Sequence, residues 1–318
     1  GGIATRASFA WINAASGHSK AYFEFRLKAI SDWHRLQREL KGFIGWNWNG
    51  SLWWEEEMNA LDDKVQELIS WGYPLRIISQ SDARSQEPGL LKHPIRSIHA
   101  ELEGAVPADQ LTRLLLDRAE QFGAVIRHET VLTLETTGGQ IKGVRTSSEI
   151  ISSDEVIVAA GVASSDLLST VGVKLPMSNS DGLLAHSTPR SMILRGVVLS
   201  PTLHMRQTPD GRIVVGRDFL GSSEYFDAEN EAKELISYAR EMLVDRSLEF
   251  EAFTVGTRPV PIDGLPVIGR APGISGLYIT VMHSGITLAP LVGRLAAADI
   301  LSGCASDELK DYRLDRFL

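Results

Sequence analysis

The stretch from Gly256 to Pro290 constrains this chain most. It opens with Gly256-Thr257-Arg258-Pro259 and continues as Asp263-Gly264-Leu265-Pro266-Val267-Ile268-Gly269. After Gly276 it reads Leu277-Tyr278-Ile279-Thr280-Val281, then His283-Ser284-Gly285-Ile286-Thr287-Leu288-Ala289-Pro290. An apolar strand that runs into a glycine and then an apolar helix aims backbone N–H groups and a positive helix end at whatever lies above the glycine. Arg258 stands on a proline-stiffened turn in the same segment. Together these features suit an electron-rich ring system held beside an anionic group.

The rest of the chain alternates helical and strand patterns. Helical spacing predicts a helix over Ala21–Leu40, with Phe23, Leu27, Ile30 and Trp33 on one face. Trp46–Trp54 reads as an aromatic strand with Asn49-Gly50 as a tight turn, and Leu61–Trp71 as a helix ended by Gly72 and Pro74. Ile77–Glu87 predicts a strand leading into a short acidic helix, and Ser97–Ala100 another strand. Pro107–Phe122 is the clearest helix, opened by Pro107 and closed by Gly123. Strands follow at Ala124–His128, Val131–Thr136, Ile141–Thr146 and Glu155–Ala160, the last a β-branched run ending at Gly161. A second sheet is expected from Leu183–Pro189, Gly196–Leu199, Leu203–Gln207, Ile213–Gly216 and Phe250–Arg258, with a helix over Asn230–Leu243. A last helix is expected from Ile286 to Leu301, and the opening Gly1–Ser19 reads as a loop. Two sheets visited alternately by one chain imply two interleaved domains.

The net charge of −8 argues against general nucleic-acid binding. No apolar run reads as long enough to span a bilayer, and no signal segment opens the chain, so a cytoplasmic location is expected. The single cysteine, Cys304, follows the predicted helix end at Gly303 and excludes an internal disulfide or a cysteine metal cluster; no metal is expected. All seven tryptophans lie between Trp11 and Trp71, either as core packing or as an aromatic wall beside a pocket.

The order of these pieces resembles the flavin enzymes of the D-amino-acid oxidase, glycine oxidase and sarcosine oxidase family. The resemblance extends over nearly the whole chain. It rests on Gly1-Gly2-Ile3-Ala4-Thr5-Arg6-Ala7-Ser8, Val106-Pro107-Ala108, Val156–Gly161, the Gly256–Pro290 stretch and Tyr312-Arg313-Leu314-Asp315-Arg316-Phe317. It implies a mixed α/β fold: an FAD-binding, Rossmann-like domain formed by residues 1–40, 97–180 and 256–318, interleaved with an antiparallel-sheet substrate domain of residues 41–96 and 181–255. The family normally opens with a strand, a G-x-G-x-x-G turn and a helix that hold the ADP half of FAD. No such motif occurs in this sequence, which starts about where the family would be past the second strand. The expectation is therefore an N-terminally truncated domain, a segment carried by another chain, or a protein that no longer binds FAD in the usual way.

The resemblance also implies site residues. Arg258 would fix a substrate carboxylate with two parallel charge-assisted hydrogen bonds; read alone, it would equally form a salt bridge to an acid such as Asp263. Gly285, Ile286, Thr287 and Leu288 would let the backbone approach the flavin ring and point the positive helix end at its pyrimidine edge, although an ordinary core helix has the same pattern. His283 would polarise the substrate or shape the pocket, or serve as a structural histidine. Gly1, Gly2, Thr5, Arg6 and Ser8 would pass the pyrophosphate and the ring. Ala159, Ala160 and Gly161 would lie against the ribose and adenine side, or simply permit tight sheet packing. Leu132, with Val131, corresponds to a strand that touches adenine. Trp48 and Arg206 lie on strands that roof the substrate; Arg206 is a candidate second carboxylate clamp, or an exposed strand arginine. No cysteine lies in the C-terminal motif, so the FAD would be noncovalent.

The implied reaction is oxidation of a small amino acid or secondary amine bearing a carboxylate, with hydride passing from Cα to flavin N5. The alternative is a truncated or partner-dependent relative, a subunit or inactive remnant, that binds no FAD alone. The partners expected are the amine substrate and a second copy or another chain, one of which could supply the absent segment. A nicotinamide dehydrogenase ranks below both, since it also needs a glycine-rich turn.

Overall fold

In the computed structural model of the chain, residues 3–15, 19–43, 45–57, 59–178, 180–217 and 227–318 are described. Two compact units emerge: residues 3–111 with 181–256, and residues 112–180 with 257–318. Residues 3–40 and 97–111 thus cluster with the first unit. In chain order the elements are α1 (Ile3–Arg6), β1 (Trp11–Ile12), α2 (Lys20–Glu39), β2 (Ser51–Trp53), α3 (Asn59–Ser70), β3 (Leu75–Ser79), α4 (Gln80–Gln86), β4 (Arg96–Ala100) and β5 (Gly104–Ala105). Next come α5 (Ala108–Gln121), β6 (Val131–Thr137), β7 (Gln140–Thr146), β8 (Ile150–Ser152), β9 (Val156–Val158), α6 (Ser164–Ser169) and β10 (Ser180–Ser187). The chain closes with β11 (Val197–Leu199), β12 (His204–Gln207), β13 (Ile213–Gly216), α7 (Ala228–Met242), β14 (Phe250–Arg258), β15 (Val267–Arg270), β16 (Leu277–Val281) and α8 (Gly285–Ser302).

The first unit is built on one sheet of order β14-β10-β13-β12-β11-β2-β4-β3. Most of its ladders are antiparallel; β11 and β2 pair in parallel. Side chains alternate between its faces. Leu52, Val198, Met205, Val215 and Ala185 meet the apolar stripe Ala232, Leu235, Ile236 and Ala239 of α7 in one core. The other face carries Ser51, Trp53, His204 and Arg206. The Ser19 hydroxyl accepts from Tyr22 N at 3.2 Å and so caps α2.

The second unit holds two small sheets. In one, β15 and β16 are antiparallel while β16 and β9 are parallel. In the other, β6, β7 and β8 form an antiparallel meander. Val158, Leu277, Ile279, Val267, Leu168 and Leu134 share its core. Gly303, at φ 69, ends α8 in the left-handed conformation that glycine adopts without penalty.

Several expectations need correction. Ala124–His128 is not a strand; Val125 is 82% exposed and no neighbouring strand pairs with the segment. Trp46–Trp54 is not one strand either. Gly50, at φ 78, breaks it, Asn47 bridges to Ala105, and only Ser51–Trp53 joins the large sheet, so Trp48 precedes β2 instead of lying on it. The opening loop contains α1 and also β1, which pairs with β5. Finally, α8 is long and apolar enough by length and composition to cross a membrane, contrary to the reading of the sequence. Leu288, Leu291, Val292 and Leu295 on it are buried within the protein, as in a core helix.

Candidate functional site

Parallel pairing of β9 with β16 sets the geometry of the second unit's site. Val156, Ile157 and Val158 lie opposite Leu277, Tyr278 and Ile279, so both strands deliver their carboxyl ends to the same edge. Ligands of open α/β sheets bind outside such carboxyl ends. There Ala159 and Ala160 are exposed, and Gly161 turns at φ 60. A Cβ on Gly161 would meet nothing within 4 Å, and one on Gly285 only Met282 Cγ at 3.8 Å. The backbone is therefore open to close approach at both turns. α8 begins here without a side-chain cap at Ser284 and without an acid in its first turn. Its positive end favours negative charge placed there. Thr287 and Leu288 are buried, Ile286 is half-buried, and His283 is exposed on the loop between β16 and α8.

Arg258 ends β14 and is half-buried. Its onward segment is fixed: Ser178 N donates to Val260 O at 2.7 Å and Ile262 N to Pro176 O at 3.1 Å. The acid that could have neutralised it is taken. Arg316 grips Asp263 with Nε at 2.7 Å and a terminal nitrogen at 3.0 Å, and donates to Leu265 O as well. Burial alone would raise the Asp263 carboxyl; the Arg316 bonds outweigh it and hold its pKa below the usual value. Among the described residues, Arg258 has no side-chain hydrogen bond or ion pair. A half-buried guanidinium without a counterion is a ready carboxylate receptor.

In the first unit, Thr5 and Arg6 lie in α1, and Arg6 is exposed. The Ser8 hydroxyl accepts from Ala10 N at 3.0 Å, and Ala10 is held at φ 54, a left-handed value uncommon outside glycine. Gly256 is required by this segment, because a Cβ on it would stand 2.5 Å from Ala7 Cβ. Trp48 donates its indole N–H to Gln37 at 2.9 Å and packs against His34 at 4.3 Å, so its ring is anchored on α2. Arg206 is not an exposed strand arginine: only 5% of it is accessible, and its Nε donates to Phe9 O at 2.5 Å. Leu132 is 52% exposed on β6. Gly1 and Gly2 lie outside the described residues.

Sequence reasoning missed a buried polar cluster in the first unit. Glu103 accepts from the Trp11 indole at 2.9 Å, from the Tyr73 hydroxyl at 2.8 Å and from the Ser51 hydroxyl. Trp53 Nε1 donates to Ser51 Oγ at 2.5 Å. Nearby, Arg26 holds the Asn13 carbonyl and carboxamide oxygens at 3.1 and 2.6 Å. Burial pushes the Glu103 carboxyl up to about 7 against these hydrogen bonds. Of the tryptophans, Trp33 is core at 2% exposure, Trp11, Trp48 and Trp53 donate their indole N–H groups, and Trp46 lines a cavity.

Comparison with known proteins agrees with the geometry. Residues 1–298 match the family described as FAD dependent oxidoreductase. The chain belongs to this family. It is 30% identical over 253 residues to a glycine oxidase of Pseudomonas aeruginosa, covering 76% of this chain and 69% of that one. It is 27% identical to one of the subunits of the opine oxidase of Agrobacterium tumefaciens, over 99% of this chain and 88% of the other. In structure it is similar to glycine oxidase from Geobacillus kaustophilus, with a TM-score of 0.87, 22% identity and coverage of 99% of this chain and 89% of that one. The fold and family are therefore those that the motifs implied, and the chain is an FAD-dependent oxidoreductase. The open glycines at the carboxyl ends of β9 and β16 and the positive end of α8 fit that cofactor.

Proposed function

We propose that the chain oxidises a small amino acid or secondary amine that carries a carboxylate. The observation that carries this reading is Arg258, a half-buried guanidinium whose expected acid partner, Asp263, is occupied by Arg316. Its planar fork would hold the substrate carboxylate bidentately and fix the direction of the Cα–H bond. Bound FAD, held noncovalently, supplies the acceptor for the hydride that leaves Cα. Gly285 would permit close approach of the ring, and the positive end of α8 would favour negative charge at its edge. Ala159, Ala160 and Gly161 would line the nucleotide side. His283 would border the substrate, and no protein base is required once the substrate amine is neutral. Activity then rises with pH as that amine loses its proton. Glycine and opines, which appear in the names of two relatives, both belong to this substrate class.

Arg258→Ala tests the reading. It should raise KM for glycine or N-substituted glycines by roughly a hundredfold or more, while the flavin absorbance bands between 300 and 550 nm persist. An unchanged KM would remove Arg258 from the site.

A specific observation favours a second element of the reading. Among the described residues, β9 has a hydrogen-bonded neighbour, β16, on one side only, and Ile157 on it is 52% exposed. An unpaired edge with an apolar side chain is a template for another strand. We infer that a further segment, from sequence flanking this chain or from a second polypeptide, pairs there and completes the nucleotide site. That the opine oxidase relative is itself one part of a complex is compatible with either source. Native mass spectrometry of purified material reads out which.

A further inference from the structure

The first unit contains a cavity of about 510 Å³, within the range of small-ligand sites. Its walls include Trp46, Val106, Pro107, Met192 and Ile193, and Arg206 lines it. Arg206 is only 5% exposed and forms no salt bridge among the described residues. Its Nε is spent on the Phe9 carbonyl, and its guanidinium lies 5.6 Å from the Phe9 ring. The two terminal nitrogens hold no acceptor among those residues. Two acids, Asp210 and Asp109, act on Arg206 through space without a hydrogen bond or ion pair to it, and Asp210 has its oxygens engaged by Thr208 and Arg212. Burial outweighs the pull of these acids and pushes the guanidinium down to about 10. Leaving a buried cation uncompensated costs several kcal/mol. The planar edge that remains, with two parallel N–H groups, matches a carboxylate.

We propose that this cavity binds the carboxylate of a small ligand with an apolar body, with Arg206 as its charge partner. A singly charged anion fits best. Arg206 is the only buried cation among the described lining residues, since Arg195 is exposed and donates a terminal nitrogen to Ser85 O at 3.0 Å. The wall is mixed: Asn47, Asn49 and Gln207 add polar groups, and Trp46, Val106, Pro107, Met192 and Ile193 would cover a short alkyl or aryl group. The site stands on the first unit alone and does not depend on the role of Arg258.

The test uses the full chain, with sodium hexanoate as probe and hexanamide as its uncharged counterpart, in isothermal titration calorimetry. Hexanoate should bind at least tenfold more tightly than hexanamide. Arg206→Gln should remove that preference, and Arg258→Ala should keep it. Met192→Trp, which enlarges a wall residue and leaves Arg206 in place, should weaken hexanoate at least tenfold, and it covers the case in which Arg206→Gln fails to fold. Equal binding of hexanoate and hexanamide, no binding at millimolar concentrations, or hexanoate binding lost in Arg258→Ala but kept in Met192→Trp would each overturn the proposal. The last result would leave the reading of Arg258 intact. A changed KM in Arg258→Ala with unchanged hexanoate binding would support both sites separately.

Discussion

Glu103→Gln isolates one buried charge and should change how the stability of the first unit depends on pH. Glu103 is fully buried, and burial raises its carboxyl from 4.5 to about 7, against hydrogen bonds from Ser51, Tyr73 and Trp11. In the folded protein the carboxyl therefore keeps its proton over about two and a half pH units in which the unfolded chain has lost it. The folded state binds more protons, so this group stabilises below the unfolded pKa, and the stabilisation is lost as pH rises through 7. At about 1.4 kcal/mol per pH unit, the loss between roughly pH 5 and pH 8 amounts to about 2 to 3 kcal/mol. Glutamine imitates the protonated acid: its oxygen can still accept from Trp11 and Ser51, and its NH₂ can donate to the Tyr73 oxygen where the acid proton would point. The variant should thus gain on the wild type by about 2 to 3 kcal/mol as pH goes from roughly 5 to 8, whatever its absolute stability. Urea denaturation followed by tryptophan fluorescence is the assay, because all seven tryptophans lie between Trp11 and Trp71 and report on the first unit. A difference between variant and wild type that stays constant across that range would refute the reasoning and show that Glu103 is ionised in the fold throughout.

Two further outcomes are expected in the second unit. Tyr278 is fully buried and donates to Asp299 Oδ2 at 3.0 Å, while Ser306 N serves Oδ1 at 2.9 Å. Tyr278→Phe leaves one oxygen of a buried carboxylate unserved and should cost about 1 to 3 kcal/mol by calorimetry, most of it recovered by adding Asp299→Asn; a variant as stable as the wild type would show that water replaces the hydroxyl. Gly143 sits at φ 140, and a Cβ there would lie 2.0 Å from Ile151 O on the neighbouring strand. Gly143→Ala should separate β7 from β8 at a cost above about 3 kcal/mol, seen as faster amide exchange at Ile150–Ser152; unchanged protection would mean that the ladder can shift to admit a methyl group.

The fold was legible in the sequence where the pattern was local and strong. α2, α5 and α7 show apolar spacing with capping or proline signals, and they fall within a residue or two of their predicted ends. The strand-glycine-helix run of β16 and α8 was legible for the same reason, and it carried the family. What failed was pairing. Val125 alternates like a strand residue, but a strand needs a partner, and partners lie far away in sequence. Two-residue strands such as β1 and β5 carry no pattern at all; they exist because Trp11 and Ala105 meet across the fold. The candidate site divides in the same way. Arg258 could be named from its motif, but that Asp263 does not neutralise it depended on Arg316 reaching Asp263 from 53 residues away. Arg206 sits in an alternating strand segment that gave no sign of its burial; that depends on where the Phe9 segment crosses the sheet. Glu103 was hidden for a related reason. In sequence it is one acid of Glu101-Leu102-Glu103, and only the fold assigns one of the pair to solvent and the other to the interior. Local sequence thus reports backbone conformation and motif chemistry well, whereas the ionisation and freedom of a charged side chain are set by contacts that only the closed chain makes.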